Sequence, residues 1–377
     1  MTGGHKLLAP LCVAWLCLAA AAPPRLQVAA YEGPEILAGG ESEASSIPVD
    51  PGEQYPPTAK DEAVRPAVEA PPAAGPGRAE ARSADFRLSV DMSVTADSNV
   101  TNGTKLHSVP IDLGDGPLPV PVDPNLREKA GIGMGTSVAA NVRLPISAEA
   151  ALAVDVEGYA VEYEGPRSDD ASALVAAGVE FGPGNSPTGS LQLIAFERWY
   201  GGVKALEGVG MRGNWRHKLS PTSNIRLAVD ARIFDSAYGE AFGGSQASLY
   251  LTYDSVLAPS LSFSGGVYAR REWLRDDSFS SLDSGAYAGL SAFLSDDFAG
   301  GVTAGLSRTV FDEPFLLLDP DPRSDWRVYA SGWLSTRRPV ALGLHPSLTY
   351  TYSRTSSSIP YFSSDRHRLR VGVQRKF

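Results

Sequence analysis

Gly208-Val-Gly-Met-Arg-Gly213 has the spacing of the glycine fingerprint that seats a dinucleotide pyrophosphate. That chemistry needs a helix N-terminus directly after the glycines. The flanking residues instead alternate polar and apolar as a strand does, so these glycines read as positions where a crowded wall needs small residues. The other reactive side chains are scattered. Histidines stand at 5, 107, 217, 345 and 367, too far apart in sequence for a local metal pair. No Gly-x-Ser-x-Gly elbow is present to hold a nucleophilic serine. These residues predict no enzyme, no cofactor and no metal site.

The chemistry that does recur is guanidinium, spaced by two along one side of alternating segments. On that side fall Arg87, Arg212, Arg216, Arg226, Arg327, Arg366, Arg368 and Arg370, joined by Arg143, Lys218, Arg232 and Arg270. Asp91, Asp155, Glu157, Glu180 and Asp230 share it. Two outcomes are open for such a face. The charges can pair with one another and fill a wet interior, or the arginines can line a path or gate.

Strands must position these residues, because successive strand side chains point to opposite faces. In "DFRLSVDMSV", Phe86, Leu88, Val90, Met92 and Val94 oppose Arg87, Ser89, Asp91 and Ser93. In "NIRLAVDARI", Ile225, Leu227, Val229, Ala231 and Ile233 oppose Asn224, Arg226, Asp230 and Arg232. Fourteen such segments run from residue 85 to the last residue; the one at 189–200 has no clean apolar face. Most reach the ~9–11 residues with which a tilted strand crosses a bilayer. Short connections ("PISAE", "LSPTS", "LAPS", "LSDD") alternate with longer ones near 98–129, 236–243, 273–281 and 310–323. Outer-membrane barrels have short turns at one end, long loops at the other and an even strand number. A soluble sandwich also alternates, but does not usually sustain that many long hairpins. The expected fold is all-β: a single antiparallel transmembrane β-barrel of about 14 strands over residues 85–377, embedded in the outer-membrane bilayer.

Residues 1–30 read as a cleavable signal peptide, with His5 and Lys6 ahead of an apolar Leu7–Leu18 stretch and cleavage points after Ala22 or Ala30. Both cysteines, Cys12 and Cys17, fall inside it, so the mature barrel would rely on closed strand pairing and not on disulfides. Residues 31–84 are rich in Pro, Ala and Glu and read as a disordered periplasmic linker. The net charge of -10 argues against a nucleic-acid partner. An even strand number places both barrel termini in the periplasm.

The last segment, "DRHRLRVGVQRKF", puts Leu369, Val371, Val373 and Phe377 on one face and Arg366, Arg368 and Arg370 on the other. An aromatic at the end of a final amphipathic strand, with Arg370 and Gly372 spaced before Phe377, resembles the signal read by the barrel-assembly machinery. Arg375 departs from the hydrophobic residue usual two places from the end. The stretch "YTYSRTSSSIPYFSSDRHRLRVGVQRKF" is similar to the C-terminal barrel of the surface lipoprotein assembly modifier (modulator) family, with its Ser-rich "SxIPxF" loop and basic final strand. "DFRLSVDMSVTADSNVTNGT" resembles that family's first strand and its Asp-Ser-Asn exit. The resemblance spans residues 85–377. It implies a fourteen-stranded barrel that assists translocation or surface display of lipoproteins or small secreted proteins, which would be its cargo. Better-known members carry helical tetratricopeptide repeats before the barrel; residues 31–82 show no ~34-residue repeat. The residues alone leave a second reading open, a passive or gated porin-like channel for small solutes.

Overall fold

In the computed structural model, the described residues are 84–377, apart from 113–115, 165–168, 183–187 and 316–317. The signal peptide expected at 1–30 and the linker expected at 31–84 lie outside them but for residue 84. The strands are β1 (Asp85–Asp97), β2 (Ser108–Asp112), β3 (Pro117–Pro121), β4 (Gly131–Pro145), β5 (Ala150–Tyr163), β6 (Asp170–Phe181), β7 (Gly189–Tyr200) and β8 (Val203–Ser220). They continue as β9 (Ser223–Ser236), β10 (Gly244–Ala258), β11 (Leu261–Leu274), β12 (Ser281–Phe293), β13 (Phe298–Pro314), β14 (Pro322–Thr336), β15 (His345–Ser357) and β16 (Ser364–Lys376). Among the described residues there is no α-helix. β1 and β4 to β16 form a closed antiparallel barrel of 14 strands, each paired with its sequence neighbours and β1 closing onto β16.

The faces are inverted relative to a water-soluble protein. Met92, Val94, Met134, Leu193, Ile233 and Val302 stand exposed on the outer wall. Ser93, Thr95 and Gln192, one position away from Met92, Val94 and Leu193, are buried inside, as are Asp97, Asp230 and Thr252. That inversion is what lipid outside and water inside select. β7 is the segment whose faces alternation could not assign. Leu191 and Leu193 point out, but so much of its inner face is apolar (Ile194, Phe196) that polarity does not mark the side. Phe196 packs inward against Ala205, Leu206, Phe234 and Leu274, together with Tyr200, Tyr238 and Phe279.

Connections differ from the expected lengths in particular places. The loop at 98–130 carries the β2–β3 hairpin, which pairs with itself and not with the barrel. β15 begins only at His345, because Ala341–Gly343 ahead of it form a short 3-10 turn. On the long-loop side, β7 and β8 are joined by Gly201 and Gly202 alone, with φ of 58° and 82°. Both central residues of such a two-residue hairpin need positive φ, which glycine adopts at little cost. Three of the long loops are tied by rings: Phe242 lies 4.7 Å from Phe279, and Phe279 6.1 Å from Phe315.

Candidate functional site

The strongest concentration of charge lies where β16 closes onto β1. Alternation sets Arg366, Arg368 and Arg370 on the inner face of β16, and the register puts Asp97 directly across from Arg368 and Thr95 across from Arg370. Arg366 wraps Asp97: its Nε donates to Oδ1 at 3.0 Å and Oδ2 at 2.8 Å, and Nη2 donates to Oδ2 at 2.6 Å. Asp97 also accepts the Asn99 amide at 2.9 Å and the Tyr163 hydroxyl at 3.3 Å, and its side chain is 0% exposed. Mid-strand, Arg370 donates to Asp91. Two arginine–carboxylate pairs thus staple the seam from inside.

Of the motifs that carried the family resemblance, the Asp-Ser-Asn exit and the final strand meet at this same place, while the Ser-rich loop packs on β14. Asn99 Nδ2 donates to the carbonyls of Gly103 (3.0 Å) and Asp365 (3.3 Å), and its Oδ1 accepts the Gly103 amide, so it binds the exit loop of β1 to β16. Ser98 Oγ accepts the His367 amide at 2.8 Å. Lys105 reaches Asp365, whose hydrogen bond raises the lysine's pKa above its ordinary value. In the other motif, Ile359 and Phe362 are buried, and the Arg323 guanidinium sits 3.6 Å from the Phe362 ring centroid while pairing with Asp325. At the turn end, the Phe377 amide donates to the Leu88 carbonyl at 2.8 Å and its carbonyl accepts from Leu88 at 3.3 Å. The Phe377 ring is exposed beside Arg375, and Gly372 sits across from Ser93.

The remaining arginines are not gathered into one path. Arg212, Arg216 and Arg226 lie on β8 and β9, six and seven strands round the wall from β16; Arg327 lies on β14, two strands from it. Arg87, at the turn end of β1, pairs with Asp85 and is largely exposed. Arg212 stands 3.5 Å from Glu157 and 3.7 Å from Asp230, and Arg226 grips Asp254 at 2.8 and 3.1 Å. Arg143 pairs with Glu180 at 2.7 Å and Arg270 with Asp283 at 3.4 Å. Paired charge therefore lines both walls, with Asn141 and Gln192 both donating to Asp155 between. Asp97, Asp254, Asp283 and Asp325 were not singled out from sequence. Alternation puts them on the inner face, but nothing local says which arginine each will meet.

Gly208–Gly213 lies within β8, where a Cβ at Gly210 would fall 2.2 Å from the Ala231 carbonyl oxygen, so close strand packing accounts for that glycine. Among the described residues no three His, Cys, Asp or Glu gather as metal ligands.

A family model described as surface lipoprotein assembly modifier matches residues 86–377. No curated protein matches the chain in sequence. Among solved structures, the chain is similar to the outer membrane channel DcaP of Acinetobacter baumannii, at 9% identity and a TM-score of 0.43, covering 78% of this chain and 97% of that one. It is also similar to OprB of Pseudomonas putida, at 11% identity and a TM-score of 0.41, covering 78% and 94%.

Proposed function

Because the chain belongs to the surface lipoprotein assembly modifier family, we propose that this outer-membrane barrel assists lipoproteins or small secreted proteins in reaching the cell surface. The observation that carries the reading is the family match over the whole barrel, together with the family-like Asp-Ser-Asn exit and basic final strand meeting at the β1–β16 seam through Asp97, Asn99 and Arg366. The seam is paired along the backbone from Ser89–Lys376 to Asp97–Arg368 and braced inside by buried polar contacts, and it is the place where a closed wall can be regulated. Breaking those contacts costs a definite free energy, and every other strand junction lies between sequence neighbours. In this reading the basic inner residues Arg366, Arg368 and Arg370 line the cargo's route beside the seam. Both barrel termini face the periplasm. Residues 1–30 are removed as a signal peptide, residues 31–84 form a periplasmic tether, and Arg370, Gly372 and Phe377 are read by the barrel-assembly machinery.

The test is co-expression with a candidate lipoprotein in an outer-membrane host, followed by protease shaving of intact cells. Cargo becomes protease-sensitive only with the barrel present if the reading holds; cargo equally shielded with and without the barrel sinks it. A second reading, a passive or gated channel for small solutes, is favoured by the ion-paired inner faces of both walls. Solute leakage into vesicles holding the purified barrel alone, with no effect on cargo, would decide for it.

A further inference from the structure

The outer wall, which the ion pairs do not use, carries two adjoining hollows. One row of cross-strand partners runs Leu290, Val302, Gly332, Tyr350, Leu369 and Ala96 across six neighbouring strands, every residue on the outer face. It extends one strand further at each end, to Phe263 on β11 and Ile132 on β4. Strands in a barrel are tilted, so a row of partners climbs obliquely across the wall. Phe263 lies just after a short turn and Ile132 just after the long 98–130 loop, so the row climbs from the turn end to the loop end.

Around Gly332 the wall is hollowed by about 500 Å³, lined by Phe263, Ala288, Leu290, Val302, Ala330 and Tyr350. Higher up, around Ala96, lies a second hollow of about 520 Å³, with Ile132, Leu369, Glu164, Ser98 and His367 on its walls. Tyr350 belongs to both. Each hollow is the size of an ordinary ligand cleft, roughly 300–1,000 Å³. Sharing Tyr350, they form a groove that is apolar toward the turn end and more polar at the loop end. The Tyr350 hydroxyl and His367 Nδ1 are 2.8 Å apart, and with tyrosine donating, His367 keeps an Nε2–H for a ligand carbonyl. Glu164 is exposed at the same mouth.

We infer that this groove holds the acyl anchor of a lipoprotein, its chains along the apolar hollow and its glyceryl carbonyls at the His367 mouth. The polarity gradient matches an amphipathic lipid entering from the loop end. The carboxylate of Glu164 at the mouth opposes an anionic headgroup such as that of phosphatidylglycerol but not a phosphate-free glyceryl-cysteine anchor, and this distinguishes the proposed occupant from anionic phospholipid. The occupant's identity rests on the transport reading above; the groove's geometry does not.

The experiment uses the full chain in vesicles of phosphatidylethanolamine and phosphatidylglycerol, with Ala130 or Ala288 replaced by a photo-crosslinking amino acid. The probe is a synthetic diacylglyceryl-cysteine peptide, compared with the same peptide lacking its acyl chains. Crosslinking at both positions should favour the acylated peptide by at least about tenfold, the resolution of one decade in affinity. Ala330→Trp should abolish the signal at 288 while leaving heat-modifiable migration intact; Ala288→Phe, read from 130, serves if that variant does not fold. Glu164→Lys should let phospholipid compete. Equal capture of the two peptides overturns the inference. So does capture of phospholipid alone, undiminished by excess acylated peptide. Because the probe is synthetic, loss of cargo display in cells with crosslinking retained sinks the transport reading and leaves the groove; the opposite result sinks the groove alone.

Discussion

Replacing Asp97 with Asn keeps the shape of the side chain and removes its charge at the most enclosed point of the seam. Oδ2 now accepts two guanidinium bonds from Arg366, at 2.8 and 2.6 Å, and the Tyr163 hydroxyl at 3.3 Å. An amide nitrogen there turns acceptor into donor and faces the Arg366 N–H groups. Swapping Oδ1 and Nδ2 does not help, because Oδ1 accepts both Arg366 Nε at 3.0 Å and the Asn99 amide at 2.9 Å. Arg366, its side chain 15% exposed, would keep its charge without a carboxylate, next to Arg368 on the same face. Removing one partner of a buried pair costs about 3–5 kcal/mol, and the wet barrel interior places this case near about 3. The assay is urea unfolding of the purified barrel in detergent, read by loss of heat-modifiable migration and by strand circular dichroism. Replacing both Asp97 and Arg366 by leucine should recover most of the loss, since an apolar pair of similar volume leaves no uncompensated charge. If Asp97→Asn unfolds with the wild type, and Arg366→Met does too, the pair does not hold the seam and the reasoning above is wrong.

Val371 and Arg370 test the register, because they occupy opposite faces near the middle of β16: Val371→Arg should cost about 2–4 kcal/mol on the lipid side, while Arg370→Ser, which loses its pair with Asp91 on the water side, should still refold when purified in detergent. A silent Val371→Arg beside an Arg370→Ser that does not refold in detergent would mean the two faces are reversed. Gly305→Ala should destabilise by about 1–3 kcal/mol through overpacking, since its Cβ would meet Tyr329 Cε1 at 2.3 Å, and trimming that ring with Tyr329→Ser should rescue it in a double-mutant cycle of unfolding midpoints. Deleting Phe377 removes two backbone hydrogen bonds to Leu88 and should lower the level of assembled barrel in outer-membrane fractions; unchanged levels would remove Phe377 from the assembly signal.

Much of the barrel was legible in the residues because a lipid-facing and a water-facing wall impose a period of two on every strand. Met92 and Val94 against Ser93 and Thr95 need only their own neighbours in sequence to declare their sides. Where the interior itself is apolar the signal fails: Ile194 and Phe196 face inward, Phe196 against Leu206 and Phe234, so β7 loses its contrast although its geometry is ordinary. Loops are less readable still, since the β2–β3 hairpin of Ser108–Asp112 and Pro117–Pro121 consists of short, proline-bearing segments with no face to bury in the wall.

Partnership belongs to closure. Sequence placed Arg366 and Arg370 on one face, but their carboxylates stand 269 and 279 residues away on β1, met only because the first and last strands join at a particular register. The same stagger separates Arg212 and Arg226 from the seam by half the circumference, and aligns Tyr350, Leu369 and Ala96 on the outside. Alternation is a local consequence of backbone geometry and can be read along a single strand. Register between distant strands is set by the tilt and stagger of a closed wall, and exists only once the whole barrel has formed.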